Sequence, residues 1–427
     1  MQAQLYAART LRTARTALAV LLCGLAFAAF CQPDPGQPRT PAPTIDAATG
    51  NALNAAIAAL QAGKQAEARA ALARLDAAKL SPYERSKVEQ ILFNVAYVEE
   101  DYVEARQHLQ NALDAGGLNA QEISQVRYQA AQLLMSQEEW QEGAAALEDW
   151  LATAVNPNGA AYYLLAVAYY QMDDFARALP PAQRAVDLAN EPHEGWIGML
   201  LALYLKNEQY TDAVPLLQKL VAIAPAKKSY WLQLSAAYGQ LEDYPNALST
   251  LQVAYNAGLI TEDPEIRRLA DLLLFQDLPY RGAQVLESAI ANASVNVDDK
   301  LYEKLANCWI AAGELDKALA PLEQGASLSA TGNLFVRLGE VNVQRGDWPA
   351  AERALERGIG KGQLADAGNA QLLMGIALFN QARFAEARAW FQQAMQSERH
   401  RPMARAYLDI IEQTIATPSS KPLDREG

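Results

Sequence analysis

The chain has 427 residues, 51% of them apolar, with only 24 glycines and 20 prolines. That composition supports a large buried core and excludes a disordered or collagen-like chain. A net charge of −13 argues against nucleic acid and anionic lipid surfaces, leaving a protein partner, most readily a basic one, or none.

Arg9, Arg12 and Arg15 precede an apolar run from Ala17 to Phe30. The run is shorter than the roughly 20 residues that a membrane-spanning helix needs. With small residues at Ala26 and Ala28, residues 1–28 read as a signal peptide, and export to a bacterial periplasm is expected. Its removal takes away three arginines and no acid, moving the net charge from −13 to −16, and leaves no membrane span in the mature chain. A lipid anchor on Cys31 is the rival reading; Phe30 weakens it, because lipidation motifs take a small residue at that place. Residues 29–45 form a proline-rich spacer built on QPDPGQPRTPAPT, expected to be extended and coreless. Of the other cysteines, Cys23 lies in the leader and Cys308 reads as a buried small apolar residue.

From Asp46 onward a helical pattern runs almost without pause to Ala416. Small residues recur at Ala68, Ala105, Gly143, Ala178, Ala213, Ala247, Gly282, Ala318, Ala351 and Ala387, in steps of 33 to 38 residues. A large residue opens each second helix at Tyr102, Trp140, Phe175, Tyr210, Tyr244, Leu315, Trp348 and Phe384. Leu109, Leu147, Leu217, Leu251, Leu286, Leu322, Leu355 and Phe391 each stand four residues after the small one. The clearest copy is YWLQLSAAYGQLEDYPNALSTLQVAY, Tyr230 to Tyr255. This order of large, small and aromatic residues resembles the tetratricopeptide repeat, whose units stack because one pair cannot bury its apolar face alone. The expected fold is therefore all-α: a right-handed superhelical solenoid of about ten helix-turn-helix units over residues 46–400. A capping helix at 401–418 and a frayed tail at 419–427 complete it.

Two units fit the pattern poorly. The first, Ala52 to Leu75, is alanine-rich and has Gln65 where an aromatic belongs, as suits a terminal cap. The seventh has Pro279 in that slot, so its turn is expected to differ. In the capping helix Leu408, Ile411 and Ile415 are expected to face inward. Gly358, Gly360 and Gly362 (GIGKG) read as helix-terminating glycines rather than a phosphate loop, since no strand precedes them.

The chain is read as non-enzymatic. His108, His193 and His400 fall in different units without metal-ligand neighbours, and no nucleophile-elbow or zinc-protease motif is present. Neither a catalytic nor a cofactor nor a metal site is assigned. What the register does place is a groove lined by the first helices of units two to four. Its inward positions are Lys87, Gln90, Asn94 and Tyr97, then Gln125, Tyr128, Gln132 and Met135, then Ala160, Tyr163, Val167 and Tyr170. Tyrosine offers area and a hydrogen bond at low entropic cost, so this face suits an extended peptide. Asn94, Tyr97, Tyr128, Gln132, Tyr163 and Tyr170 are the candidate partner-binding residues; packing between helices is the competing role for the tyrosines.

Longer stretches carry a closer resemblance: YYLLAVAYYQ (162–171), ALPPAQRAV (178–186), LPYRGAQVLESAI (278–290) and MGIALFNQARFAEARAWFQQA (374–394). With the copy at 230–261 they are similar to bacterial tetratricopeptide proteins described as components of the TonB energy-transduction system, over about residues 81–405. The resemblance implies a periplasmic accessory of TonB, ExbB and ExbD in outer-membrane uptake. An envelope assembly or polysaccharide-export factor is the alternative.

Overall fold

The computed structural model describes residues 44–191 and 193–416. The signal-peptide reading of 1–28, the lipid-anchor reading of Cys31, nearly all of the proline-rich spacer and the tail at 419–427 lie outside the described residues. Among those described there are 21 helices and no strand. They fall into two compact units, one ending at Pro225 and one beginning at Ala226.

The first unit contains α1 (Ala47–Gln61), α2 (Gln65–Leu72), α3 (Pro82–Val98), α4 (Tyr102–Asp114) and α5 (Ala120–Ser136). It continues with α6 (Trp140–Thr153), α7 (Gly159–Gln171), α8 (Phe175–Asp187), α9 (Glu194–Lys206) and α10 (Tyr210–Ile223). The second contains α11 (Lys228–Gln240), α12 (Tyr244–Asn256), α13 (Asp263–Phe275), α14 (Pro279–Ala291), α15 (Asp299–Ala311) and α16 (Leu315–Leu328). It ends with α17 (Asn333–Arg345), α18 (Trp348–Lys361), α19 (Ala367–Asn380), α20 (Phe384–Ala394) and α21 (Arg401–Ala416). Within each unit a helix packs on the one before it and the one after it. This is the contact pattern of a helical repeat solenoid.

The small residues found by periodicity are the points of closest approach. All eight alanines of the series, from Ala68 to Ala387, have no exposed surface. At Gly143 a Cβ would lie 2.8 Å from the Met135 sulfur, so only glycine lets α5 and α6 meet there. Cys308 is fully buried in the second unit's core, and burial pushes its thiol up to about 11.

The turn inside each pair is equally regular. The N–H of Asp101 donates to the Ala96 carbonyl and that of Glu100 to the Tyr97 carbonyl, closing a Schellman motif. Asp101 then caps α4 by accepting from the Glu104 N–H at 3.0 Å. The residue between the helices must take a positive φ. Glycine does so at Gly63, Gly313 and Gly346, but acids do so in six consecutive pairs: Glu100, Glu138, Asp173, Glu208, Glu242 and Asp277.

Three expectations are corrected. The seventh turn does not differ: Asp277 is left-handed like its counterparts, Leu278 donates back to the Leu273 carbonyl, and Pro279 sits at the first position of α14 where no N–H is needed. Of the GIGKG glycines only Gly362 ends the helix, at φ 76°; Gly358 and Gly360 lie inside α18. Gly358 is small because the Gly332 carbonyl approaches it. In α21 Ile411 is buried and Leu408 packs against the same core, but Ile415 is 60% exposed; Ala404 and Tyr407, stacked on Phe391, complete the inward face.

Two ionic groups fasten the first helices of the chain. The Glu84 carboxylate accepts from the Asp46 N–H at 2.7 Å, the Ser81 N–H at 2.9 Å and the Ser81 hydroxyl at 2.7 Å. At the other end of α3, Arg69 of α2 binds both Glu99 and Glu104. His108 of α4 lies between Glu89 (Nδ1, 2.6 Å) and Glu104 (Nε2, 3.4 Å).

Candidate partner-binding groove

The groove positions fall on α3, α5 and α7, the first helices of consecutive pairs. A polar junction joins α3 to α5. Lys87 bridges Glu122 at 2.8 Å, the Tyr83 hydroxyl donates to the same carboxylate at 3.0 Å, and the Lys87 ammonium lies 5.1 Å from the Tyr83 ring centre. Burial, and then the contact with Glu122, push the Tyr83 hydroxyl up to about 12. Burial alone would raise Glu122, but its bonds from Lys87 and the Asn119 N–H hold it below the usual range.

All six candidate residues are half-buried, so each offers part of its surface and packs the rest. On α3 the Asn94 amide donates to the Gln90 carbonyl at 3.0 Å, and Tyr97 lies between Phe93 and Tyr102, 6.0 Å from each ring. On α5 Tyr128 stacks on Trp150 of α6 at 4.5 Å. Trp150 in turn donates from Nε1 to the Ser124 hydroxyl at 2.8 Å. Burial pushes the Tyr128 hydroxyl up to about 12, partly offset by the Gln132 amide one turn on. On α7 Tyr163 stacks on Trp196 of α9 at 5.8 Å, and burial raises its hydroxyl too. Tyr170 meets Phe175 edge to face at 5.4 Å. The tyrosines therefore line the face and brace it at once, as aromatic rings with a polar tip can.

Two neighbours assigned to the groove do not reach it. Met135 is 5% exposed, with its sulfur against Gly143 between α5 and α6, and Val167 is 9% exposed within α7's packing face. The register reading missed Tyr83, Glu122, Trp150 and Trp196. Trp196 carried a legible signal, an aromatic in the first turn of a helix whose neighbour ends in tyrosines. Trp150 sits on a second helix, where inward-facing positions were not sought.

Among the described residues no three His, Cys, Asp or Glu side chains are grouped so as to hold a metal ion. None of their helices is long and apolar enough to cross a membrane.

Residues 128–191 and 336–399 match the model of the tetratricopeptide repeat family. The chain carries tetratricopeptide repeats. The first match includes Tyr128, Gln132, Tyr163 and Tyr170. Among solved structures the chain is similar to a tetratricopeptide repeat protein from Parabacteroides merdae, at 14% identity over 69% of this chain and 99% of that one, with a TM-score of 0.34. It is similar to YrrB, described as a TPR protein with an unusual peptide-binding site, at 19% identity over 40% of this chain and 84% of that one, with a TM-score of 0.34. A third is the Naa15/Naa10 complex bound to HypK-THB, at 13% identity over 77% of this chain and 61% of that one, with a TM-score of 0.42. No curated protein matches the sequence.

Proposed function

We propose that this chain is a non-enzymatic protein-interaction scaffold of the bacterial periplasm, serving a TonB–ExbB–ExbD outer-membrane uptake system. Tetratricopeptide repeats typically act as scaffolds, and their stacked pairs present a continuous surface to a protein or peptide partner. The observation that carries the reading is the run of half-exposed tyrosines and amides, Asn94 to Tyr170, on three successive first helices of one compact unit. No unpaired charge interrupts these positions, since Lys87 is held by Glu122. Export is supported by Arg9, Arg12 and Arg15 ahead of an apolar run ending in small residues. The uptake system itself is supported by the resemblance over residues 81–405.

Affinity capture from envelope extracts, read by mass spectrometry, tests both parts. Recovery of TonB, ExbB or ExbD supports the reading, and their absence overturns the uptake role. Tyr128→Ala combined with Tyr163→Ala should weaken capture at least about tenfold, equivalent to 1.4 kcal/mol. Capture that is undiminished by a folded double variant would place the partner elsewhere. N-terminal sequencing of the envelope-fraction protein should begin close to Ala29; recovery from the cytosol with Met1 intact would refute export.

A further inference from the structure

The seventh turn keeps the backbone of its neighbours but not their side chains. Two residues before the left-handed position, Ser136, Gln171, Lys206 and Gln240 occupy the four preceding pairs, whereas the seventh has Phe275. One residue after it, Asp101, Asp174, Asp243 and Asp347 each accept an N–H at the start of the helix that follows. Leu278 takes that place before α14 and makes no such bond. A helix cap is thus given up for an apolar side chain that lies exposed. Such a break of a local rule, with no gain in packing, marks a surface kept for another purpose.

These side chains belong to one strip. Phe275 is 62% exposed and meets Tyr244 of α12 edge to face at 4.7 Å. Tyr280 is 44% exposed and meets Trp309 of α15 in the same way at 5.1 Å. The Lys317 ammonium of α16 lies 4.8 Å from the Tyr280 ring centre and 4.6 Å from that of Trp309. Leu241, in the turn before Tyr244, is exposed as well. An apolar ladder therefore crosses the turns of three successive pairs of the second unit, unlike the scattered single residues of an ordinary surface. Its rim is acidic. Glu242 and Asp277, the left-handed residues of two of these turns, are exposed and join no ion pair among the described residues. Lys317 is held by Glu314 at 3.3 Å, and Arg281 is exposed beside Tyr280. Over residues 241–244 and 275–281 three acids stand against one arginine, a net charge of −2. A second copy would set the same acids against them, whereas a basic segment neutralises them. No strand edge exists among the described residues to pair with an extended chain, so a helix, which satisfies its own backbone, is the form that fits.

We propose that this turn edge, across pairs six to eight, docks a basic amphipathic helix of a partner protein. Its apolar face sits on Phe275, Leu278 and Tyr280, with its lysines or arginines towards Glu242 and Asp277. The surface stands whether or not the tyrosine groove of the first unit binds a partner. Fluorescence anisotropy with a labelled synthetic amphipathic helix of leucine and lysine tests it on the full chain, and a companion with glutamate for lysine should not bind. Phe275→Ser should weaken binding of the leucine–lysine helix at least tenfold. Leu278→Asp should weaken it severalfold although it adds an acid, and should melt no earlier than the parent, because it restores the cap used at other turns. Glu242→Asn with Asp277→Asn, a residue type that tolerates the left-handed backbone, should weaken it severalfold at low salt. Glu100→Asn with Glu138→Asn, in the first unit, should leave it unchanged. Binding unaffected by Phe275→Ser overturns the proposal, as does tighter binding by Leu278→Asp. An equal loss from the two asparagine pairs overturns it too, since it reports only general attraction to an acidic chain. Self-association of the parent that Phe275→Ser removes, read by light scattering, would make a second copy the occupant and equally overturn it.

Discussion

Removing the Glu84 carboxylate should release the first helix of the chain and loosen the capped start of α3, leaving the later helices unaffected. Glu84 is 5% exposed and accepts three hydrogen bonds, one from the backbone of the residue that caps α1. A hydrogen bond to a charged group contributes about 1.5–3 kcal/mol, but Asp46 is exposed and water would recover part of it. The net cost of Glu84→Ala should be about 2 kcal/mol, a factor of about 30 in a local opening equilibrium. Hydrogen exchange is the suitable assay, because long repeat arrays need not unfold in one step. Peptides covering residues 47–61 should lose about 30-fold in protection, whereas those from α5 onward should be unchanged. The same bonds, that from Asp46 foremost, hold the carboxyl at about 2 against an ordinary 4.5. A depressed pKa in the folded state gives stability that is complete above about pH 4.5 and lost as pH falls towards 2. Protection of α1 in the parent should therefore decline over that window and stay flat in the variant. Unchanged protection of residues 47–61 in Glu84→Ala would refute the argument, and so would an even loss along the whole chain.

A Cβ on Gly339 would lie 2.5 Å from Cγ of Leu355, so Gly339→Ala should cost about 1–3 kcal/mol by overpacking and lower the Tm of the second unit in calorimetry. Ala382 holds φ 60° in the tenth turn, and Ala382→Gly should gain about 0.5–1 kcal/mol in denaturant titration, the relief of left-handed strain exceeding the added unfolded-state entropy. His108 is raised above 6.5 by its bond to Glu89, against the opposing effect of burial. Its stabilisation is fully present below pH 6.5 and is lost as pH rises through the folded value, so α3–α4 protection should fall across that window in the parent and not in His108→Gln.

The register of the helices was legible because each small residue has one task, to let two backbones approach, and Ala68 through Ala387 perform it with no exposed surface. Faces were less legible. Periodicity places Tyr128 and Met135 on one stripe of α5, but Gly143 opens a recess that draws Met135 into the pair interface while Tyr128 is met by Trp150. Both outcomes depend on residues 8 to 22 positions away, beyond any single-helix pattern. Pro279 misled for a related reason: its effect depends on which N–H is missing, and at the first turn of α14 that N–H had no partner to lose.

The acidic left-handed turns bear on how copies of this molecule meet one another. In the first unit Glu100, Glu138, Asp173 and Glu208 are all exposed, each at the join of one helix pair. Glycine there would be conformationally easier and electrically silent. A neighbour approaching turn to turn instead brings like charges together, each pair opposed by about 1 kcal/mol at 4 Å in water and screened beyond roughly 10 Å in 0.1 M salt. Backbone ease is given up where a like-charged turn repels its counterpart on another copy, and concentrated salt is the condition that removes that repulsion.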